Sequence, residues 1–217
     1  MRRSVLDFSK LLFLPIDIPN PPAEIAEKLD RIDYSEMITD NYRNCYHIPM
    51  MTKDKKWTYI AKNIPELINW CESYVFSWAK PSRIMIITTP SGKTNPPHID
   101  CSPDKFVTWQ HKLRYVIRGN TDSLYYISKQ GDKYVPEIDK PFIMDGKWPH
   151  VMHNTHSETK YTFALGAPWE PDDSDIDYIK MLEKSYKKYK DHYLSSEKLQ
   201  LPENYESLFK KEYLKNA

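Results

Sequence analysis

The stretch that decides the fold is RIMIITTPSGKTNPPHID, residues 83–100. Its first seven residues are rich in β-branched side chains, and the turn Pro90-Ser91-Gly92 follows them. β-branched side chains pack well on a pleated sheet, whereas Pro and Gly interrupt a strand. The stretch therefore predicts a strand, a turn and a second extended segment that carries His98 and Asp100.

Further β-type runs continue this pattern to residue 165. Gly119-Asn120, Gly131-Asp132 and Asp145-Gly146 supply turns between several of them. Many short strands with turns at this spacing indicate a β-sandwich or barrel rather than alternating strands and helices. The runs are Phe106–Trp109, Leu113–Ile117, Leu124–Ile127, Pro141–Met144, His150–Asn154 and Tyr161–Leu165.

Helical patterns flank the β region on both sides. After the proline-rich, extended segment 15–22, a short helix is expected, and apolar spacing predicts a second helix from Pro65. Pro171-Asp172-Asp173-Ser174 is a helix start signal, and a last short helix is predicted from Pro202 to Leu214. We predict one domain, with an N-terminal extended segment and helices over 1–82, a β core over 83–169 and C-terminal helices over 170–217 that flank it or form a dimer contact.

Composition limits the functional classes. The chain has 217 residues, enough for a full core, and a formal net charge of +1, which argues against duplex nucleic acid and anionic membranes as partners. Only 5 residues are Gly, and no phosphate-binding glycine motif occurs. Three cysteines without a CxxC pair indicate reduced thiols in a cytoplasmic protein. The apolar run Leu11–Leu14 is too short for a signal peptide or a membrane span.

The segment Pro97-His98-Ile99-Asp100 carries the candidate chemistry. In a strand, residues i and i+2 point to the same face, so His98 and Asp100 would offer one nitrogen and one oxygen ligand side by side. Two His and one carboxylate form the facial triad of non-haem Fe(II) oxygenases. A third ligand would have to come from elsewhere in the chain.

The order of motifs from Arg83 to Trp169 resembles the double-stranded β-helix core (jelly roll, cupin-like) of Fe(II)/2-oxoglutarate-dependent dioxygenases. It is most similar to the aspartyl/asparaginyl β-hydroxylase branch. That branch has a strand, a Pro-Gly turn, Pro-His, a Leu-Arg strand, an Asp turn, His-x-x-x-Asn and an Arg ten residues beyond this His. The same order occurs here as Pro90-Ser91-Gly92, Pro97-His98, Leu113-Arg114, Asp145-Gly146, His150-Val151-Met152-His153-Asn154 and Lys160.

The third ligand is chosen among His150, His153 and His156. In a regular strand, His150 and His153 point to opposite faces. His150 gives the ten-residue spacing to a cation that the resemblance requires, so it is preferred, and the other two remain alternatives.

The resemblance implies Fe(II) and 2-oxoglutarate as cofactor and co-substrate, and hydroxylation of a C–H bond with release of succinate and CO2. It also implies that Lys160 binds the far carboxylate of 2-oxoglutarate, with Arg114 as a second anion anchor. Two departures stand out. Asp100 supplies a carboxylate that the β-hydroxylase branch lacks, and Lys160 replaces its Arg, so that a point charge replaces a bidentate fork.

Other functions remain open at this point. A cupin-type metal protein has a similar topology but favours HxH plus Glu over the HxD found here. A non-enzymatic β-sandwich that binds a partner through its helices also fits the sequence. The substrate itself, an amino acid, a peptide or a small molecule, is not encoded in any motif.

The Lys-, Asn-, Tyr- and Ile-rich composition is typical of an AT-rich genome, as many phages have.

Overall fold

A computed structural model describes residues 6–33, 38–40, 45–121, 123–167 and 169–209. Two antiparallel sheets, with eight and four strands, supply most of its regular secondary structure. The strands are β1 (Leu11–Pro15), β2 (Ile38–Asp40), β3 (Cys45–Met51), β4 (Ile84–Thr89), β5 (Thr94–His98), β6 (His111–Arg118), β7 (Leu124–Tyr126), β8 (Lys133–Tyr134), β9 (Phe142–Asp145), β10 (His150–His153), β11 (Lys160–Leu165) and β12 (Leu194–Ser195). The α-helices are α1 (Glu24–Leu29), α2 (Tyr59–Lys62), α3 (Pro65–Trp70), which a π-helical turn continues over Cys71–Val75, and α4 (Ile176–Tyr189).

Successive strands of the β core pass back and forth between the two sheets. The large sheet has the order β12-β1-β9-β6-β11-β4-β3-β2, and the small sheet has the order β5-β10-β7-β8. Thus β4, β6, β9 and β11 lie in one sheet, and β5, β7, β8 and β10 lie in the other. This alternation is that of a double-stranded β-helix. The predicted fold class, mainly β with flanking helices, is confirmed.

Strand β11 divides two packed regions of the interior. Phe163 lies on the face of β11 that points away from the small sheet, where it is buried edge-on against Trp70 of α3, with ring centroids 5.3 Å apart. Lys160, Thr162 and Ala164 alternate with it and face the small sheet, because successive side chains of a strand point to opposite faces. The space between the sheets is filled on one side by an apolar cluster that contains Leu12, Phe13, Val116, Leu124, Tyr126, Val135, Phe142, Met144, Trp148 and Met152.

The flanking segments contribute strands that the sequence did not predict. Leu11–Pro15 is fully buried and pairs with β9, and Cys45–Met51 pairs with β4. The segment 1–82 therefore adds strands to the large sheet besides its helices. Among the helices of the described residues, none is long and apolar enough to cross a membrane.

Two local predictions are wrong or incomplete. Phe106–Trp109 is not a strand but follows a 3-10 turn at Pro103–Lys105. The short C-terminal helix appears only as a 3-10 turn at Tyr205–Leu208, and the rest of its predicted range, 210–214, lies outside the described residues.

Candidate active site

Three side chains from the two predicted ligand segments meet between the sheets. The Nε2 atom of His98 lies 3.7 Å from Oδ1 of Asp100, and Nε2 of His150 lies 3.9 Å from Oδ2 of the same carboxylate. One ligand atom from each of the three residues falls within 4.8 Å of the others. The structure therefore brings His98, Asp100 and His150 into one group with the spacing of a metal site.

Backbone carbonyls fix the tautomer of both imidazoles. Nδ1 of His98 is 2.7 Å from the carbonyl oxygen of Pro96, and Nδ1 of His150 is 2.8 Å from that of Trp148. A carbonyl oxygen can only accept, so each Nδ1 carries the proton and each Nε2 keeps a lone pair that is available to a metal. This arrangement is typical of metal-binding histidines. Two imidazole nitrogens and a carboxylate oxygen suit Fe(II).

The neighbours of Asp100 hold its carboxylate in place. Its backbone N–H donates to the carbonyl of Gly146 over 2.7 Å. A Cβ atom on Gly146 would lie only 2.9 Å from the Cβ of Asp100, a contact that real Cβ atoms essentially never make. On the other side, Nη2 of Arg114 lies 3.7 Å from Oδ2 of Asp100. A glycine is thus required at position 146 by the close approach of Asp100, and not by the turn alone.

The alternative histidines do not join this group. His153 lies on the opposite face of β10, where it shares a 2.8 Å hydrogen bond with Thr94 and stacks on Tyr125 at 5.5 Å between ring centroids. His156 lies beyond the strand, and its backbone N–H donates to Asn154.

The two predicted anion anchors are both buried but lie at different ends of the site. Nζ of Lys160 donates to the carbonyl of Asn120 and to Oγ of Ser123, each over 2.6 Å. Arg114 lies beside Asp100 and pairs with Ala164 across the ladder between β6 and β11. Ala164 is four residues from Lys160, a separation of about 13 Å along a strand. The two cations therefore have different partners, Asp100 for Arg114 and Asn120 with Ser123 for Lys160.

Lys112 is a third buried cation, which the sequence analysis did not single out. It precedes Arg114 by two residues on β6, so both side chains share the face that looks toward the small sheet. Burial lowers the pKa of Lys112, while Asp100 opposes this shift. Two cations two residues apart, alternating with the apolar residues Leu113 and Tyr115, were the signal that could have revealed it.

A C-terminal segment packs directly on the ligand-bearing segment. The backbone N–H of Ile99, between His98 and Asp100, donates to the carbonyl of Leu208 over 3.0 Å. Phe209 forms a parallel bridge with Ile99 and joins a buried cluster with Ile99 and Cys101. We call residues 205–209 the C-terminal strap, since they cover the outer side of the His98–Asp100 segment.

His111 of β6 and Asp145 of β9 are a second pair of buried titratable groups, and they are direct partners in the ladder between these strands. Burial lowers the pKa of His111 to about 3 and raises the pKa of Asp145 to about 6. His111 shares a 2.8 Å hydrogen bond with the hydroxyl of Tyr178, and Asp145 accepts the backbone N–H of Lys147 over 3.0 Å. Both groups are therefore held neutral, or nearly so, in the folded protein around pH 5.

Comparison with known proteins gave similarity in structure alone. No protein-family model and no curated protein matches the sequence. Among solved structures, a Trichoplax adhaerens prolyl hydroxylase in complex with a hypoxia inducible factor peptide fragment has 13% identity and a TM-score of 0.48, covering 77% of this chain and 86% of that one. A 2OG-Fe(II) oxygenase family oxidoreductase from Burkholderia pseudomallei has 10% identity and a TM-score of 0.45, with coverages of 65% and 76%. A Pseudomonas putida prolyl-4-hydroxylase has 12% identity and a TM-score of 0.44, with coverages of 74% and 95%. At these values, the activity has to be argued from the residues of the site.

Proposed function

We propose that this chain is an Fe(II)- and 2-oxoglutarate-dependent oxygenase that hydroxylates a C–H bond of an amino-acid, peptide or small-molecule substrate. The observation that carries the proposal is the group His98, Asp100 and His150, in which both histidines are buried and both Nε2 atoms lie within 4 Å of the Asp100 carboxylate. A surface cluster of acidic groups would lack this fixed tautomer and this burial. The placement within the β-hydroxylase branch stays a hypothesis, since it rests on the order of sequence motifs.

In this proposal, His98, Asp100 and His150 hold Fe(II). The metal, with 2-oxoglutarate and O2, supplies the oxidation of an unactivated C–H bond to an alcohol, and succinate and CO2 are released. The chain's own residues orient the reactants and exclude water. The carbonyls of Pro96 and Trp148 keep the two imidazoles in the metal-binding tautomer, and Gly146 lets Asp100 approach.

Lys160 binds the far carboxylate of 2-oxoglutarate in the same proposal. Its side chain is almost completely buried, and Asn120 and Ser123 hold its ammonium group in position. A carboxylate loses hydration when it enters such a site, and a buried ammonium offsets this cost. Gly119 favours this placement, since its φ is +113° and its open Cα side faces the Lys160 side chain.

The proposed reaction fits a cytoplasmic protein with reduced thiols, because Cys45, Cys71 and Cys101 are buried and form no disulfide in the part of the chain that the structure describes. An association through the C-terminal helices remains part of the proposal. The exposed face of α4 carries several lysines, of which Lys184 and Lys188 form ion pairs with Asp17 of the same chain.

The test is spectroscopic and needs no substrate. Under argon, Fe(II) and 2-oxoglutarate are added to the full-length protein, and we expect a weak visible charge-transfer band. Asp100→Ala should abolish the band, because it removes the one anionic ligand of the group. A non-enzymatic sandwich or a metal protein that does not bind 2-oxoglutarate gives no band, and that result would overturn the proposal. Succinate formation, screened over a panel of substrates, then identifies the reaction.

A further inference from the structure

Lys112 and Arg114 form a pair of buried cations on the inner face of β6. Lys112 is only 4% exposed and Arg114 only 7%. Both lie on the face of β6 that carries Val116, and their Cα partners on β9, Met144 and Phe142, belong to the inner apolar cluster. The two cations therefore face the interior where the candidate metal ligands lie.

In the part of the chain that the structure describes, the Lys112 side chain forms no hydrogen bond and no ion pair within 4 Å, although Asp100 and Glu170 lie close enough to attract its ammonium group. The acidic groups around it are engaged in other contacts. Asp100 approaches both histidines and Arg114, Glu170 pairs with Lys105, and Asp145 accepts from Lys147. The Lys112 side chain is nearly buried and no ion pair of its own is found among the described residues, so an anion bound beside it would offset the hydration that its ammonium group loses.

The charges of the site point to the sign of that ligand. Three buried cations, Lys112, Arg114 and Lys160, lie on the inner faces of β6 and β11, and the carboxylate of Asp100 lies 3.7 Å from Arg114. The other nearby carboxylate, that of Asp145, is offset by Lys147 at 3.9 Å. A divalent metal and a dianionic co-substrate cancel each other, so binding both leaves an excess of two positive charges. Lys160 lies at the end of the site remote from Arg114, so the excess remains beside Asp100.

We propose that Lys112 and Arg114 bind an anionic group of the substrate, a carboxylate or a phosphate, next to Asp100. The inference rests on the proposed oxygenase function and adds a substrate class to it. The anion and 2-oxoglutarate occupy separate cation sites, with Lys160 for the co-substrate and the Lys112–Arg114 pair for the substrate. Both residues of the pair are substrate-binding residues rather than ligands of the metal.

The experiment measures binding rather than turnover, so it does not require the natural substrate. Full-length protein is titrated under argon, in the presence of Fe(II) and 2-oxoglutarate, with N-acetylglycine, methyl phosphate and the neutral N-acetylglycinamide. Calorimetry gives the Kd of each probe. We expect saturable binding of at least one anionic probe and none of the amide, and the tighter of the two anions distinguishes a carboxylate from a phosphate substrate.

Matched variants assign the site. Lys112→Met should raise the Kd of the anionic probe by about tenfold or more, as expected for loss of a charge-assisted contact. Lys112→Arg should retain binding, and Lys180→Met, which removes a surface charge that is paired with Asp177, should leave it unchanged. Met has nearly the volume of the Lys stem, so the substitution should preserve the packing around residue 112. A melting temperature at least as high as that of the wild type verifies that the variant is folded.

The outcomes separate the two proposals. If neither anion binds, or if Lys112→Met binds the anion as tightly as the wild type, the substrate site is wrong. If Lys112→Met lowers the affinity for 2-oxoglutarate instead of the affinity for the probe, the pair belongs to the co-substrate and the inference is overturned. If the charge-transfer band is absent but anion binding still depends on Lys112 when Fe(II) and 2-oxoglutarate are left out, the oxygenase proposal fails and the anion site stands.

Discussion

His150 is the direct partner of His98 across the β5–β10 ladder, and the centroids of their rings lie 4.3 Å apart. Because paired residues of neighbouring strands point to the same face, the register of this ladder alone brings the two Nε2 atoms together. Asp100 follows the end of β5, so its carboxylate reaches the pair from a bend rather than from the strand. A shift of one residue in β10 would turn His150 away and present Val151.

The register predicts opposite results for two neighbouring histidines. His150→Ala should abolish tight Fe(II) binding, since it removes a ligand nitrogen, whereas His153→Ala should retain it because His153 stacks on Tyr125 on the outer face. Anaerobic titration with Fe(II) measures both affinities. Retention of iron by His150→Ala together with its loss in His153→Ala would show that the assigned face is wrong.

Lys160→Met should raise the apparent KM for 2-oxoglutarate by about tenfold or more, since a buried charge-assisted contact contributes on the order of 2 kcal/mol. Iron affinity should hardly change, because Nζ of Lys160 contacts Asn120 and Ser123 rather than the metal ligands. Lys180→Met removes the same charge from the surface and serves as the control. An unchanged dependence on 2-oxoglutarate would exclude Lys160 and direct attention to Arg114.

Where the local pattern was strong, the sequence predicted the β core. The runs 113–117 and 161–165 fall within β6 and β11, and Pro141–Met144 overlaps β9, because β-branched and aromatic residues between turns favour strands. Leu11–Leu14 was missed as a strand because it is buried on both faces, which removes the alternation that marks a half-exposed strand.

Other features depend on tertiary contacts that no local pattern contains. Phe106 looked like part of a strand, but it packs in the loop against Tyr205 and Phe209, whose proximity cannot be inferred from sequence spacing. The spacing of His98 and Asp100 could be predicted, whereas the close approach of Gly146 and the burial of Lys112 arise only when the two sheets meet.

Gly146→Ala should weaken Fe(II) binding by about tenfold, since the new Cβ must displace Asp100 or its strand, and overpacking of this kind costs about 1–3 kcal/mol. Gly166→Ala is the matched control, because a Cβ there would meet Lys112 at an ordinary 3.5 Å. Fe(II) affinity and thermal stability are measured for both. Wild-type iron affinity in Gly146→Ala would contradict the tight contact with Asp100.

Phe209→Ala should weaken both the fold and the metal site, because the C-terminal strap supports Ile99 between two candidate ligands. Phe209 is only 6% exposed, and truncation of a buried Phe costs about 3 kcal/mol. Tyr59→Ala, at a side chain that is 80% exposed, is the control. Chemical unfolding and Fe(II) titration are compared at a temperature where the variant is folded. If stability falls and iron affinity does not, the strap is structural only.

The pH dependence of stability should contain two opposing contributions. The pKa of Asp145 is raised to about 6 by burial, so between about pH 4 and 6 the folded protein binds a proton that the unfolded chain has lost, and stability falls as pH rises. The pKa of His111 is lowered to about 3, so between about pH 3 and 6.5 the unfolded chain binds the extra proton, and stability rises with pH. Over the shared window, the two contributions nearly cancel.

Asp145→Asn should remove one contribution and reveal the other. Asn keeps the acceptor for the backbone N–H of Lys147 but cannot ionise, so the fall in stability with pH disappears while the rise due to His111 remains. The free energy of unfolding of the variant should therefore gain about 1.4 kcal/mol per pH unit relative to the wild type between about pH 4 and 6. Urea unfolding of metal-free protein across this window measures both slopes, and groups elsewhere contribute equally to the two proteins. Parallel slopes would mean that Asp145 ionises in the folded protein as it does in the unfolded chain.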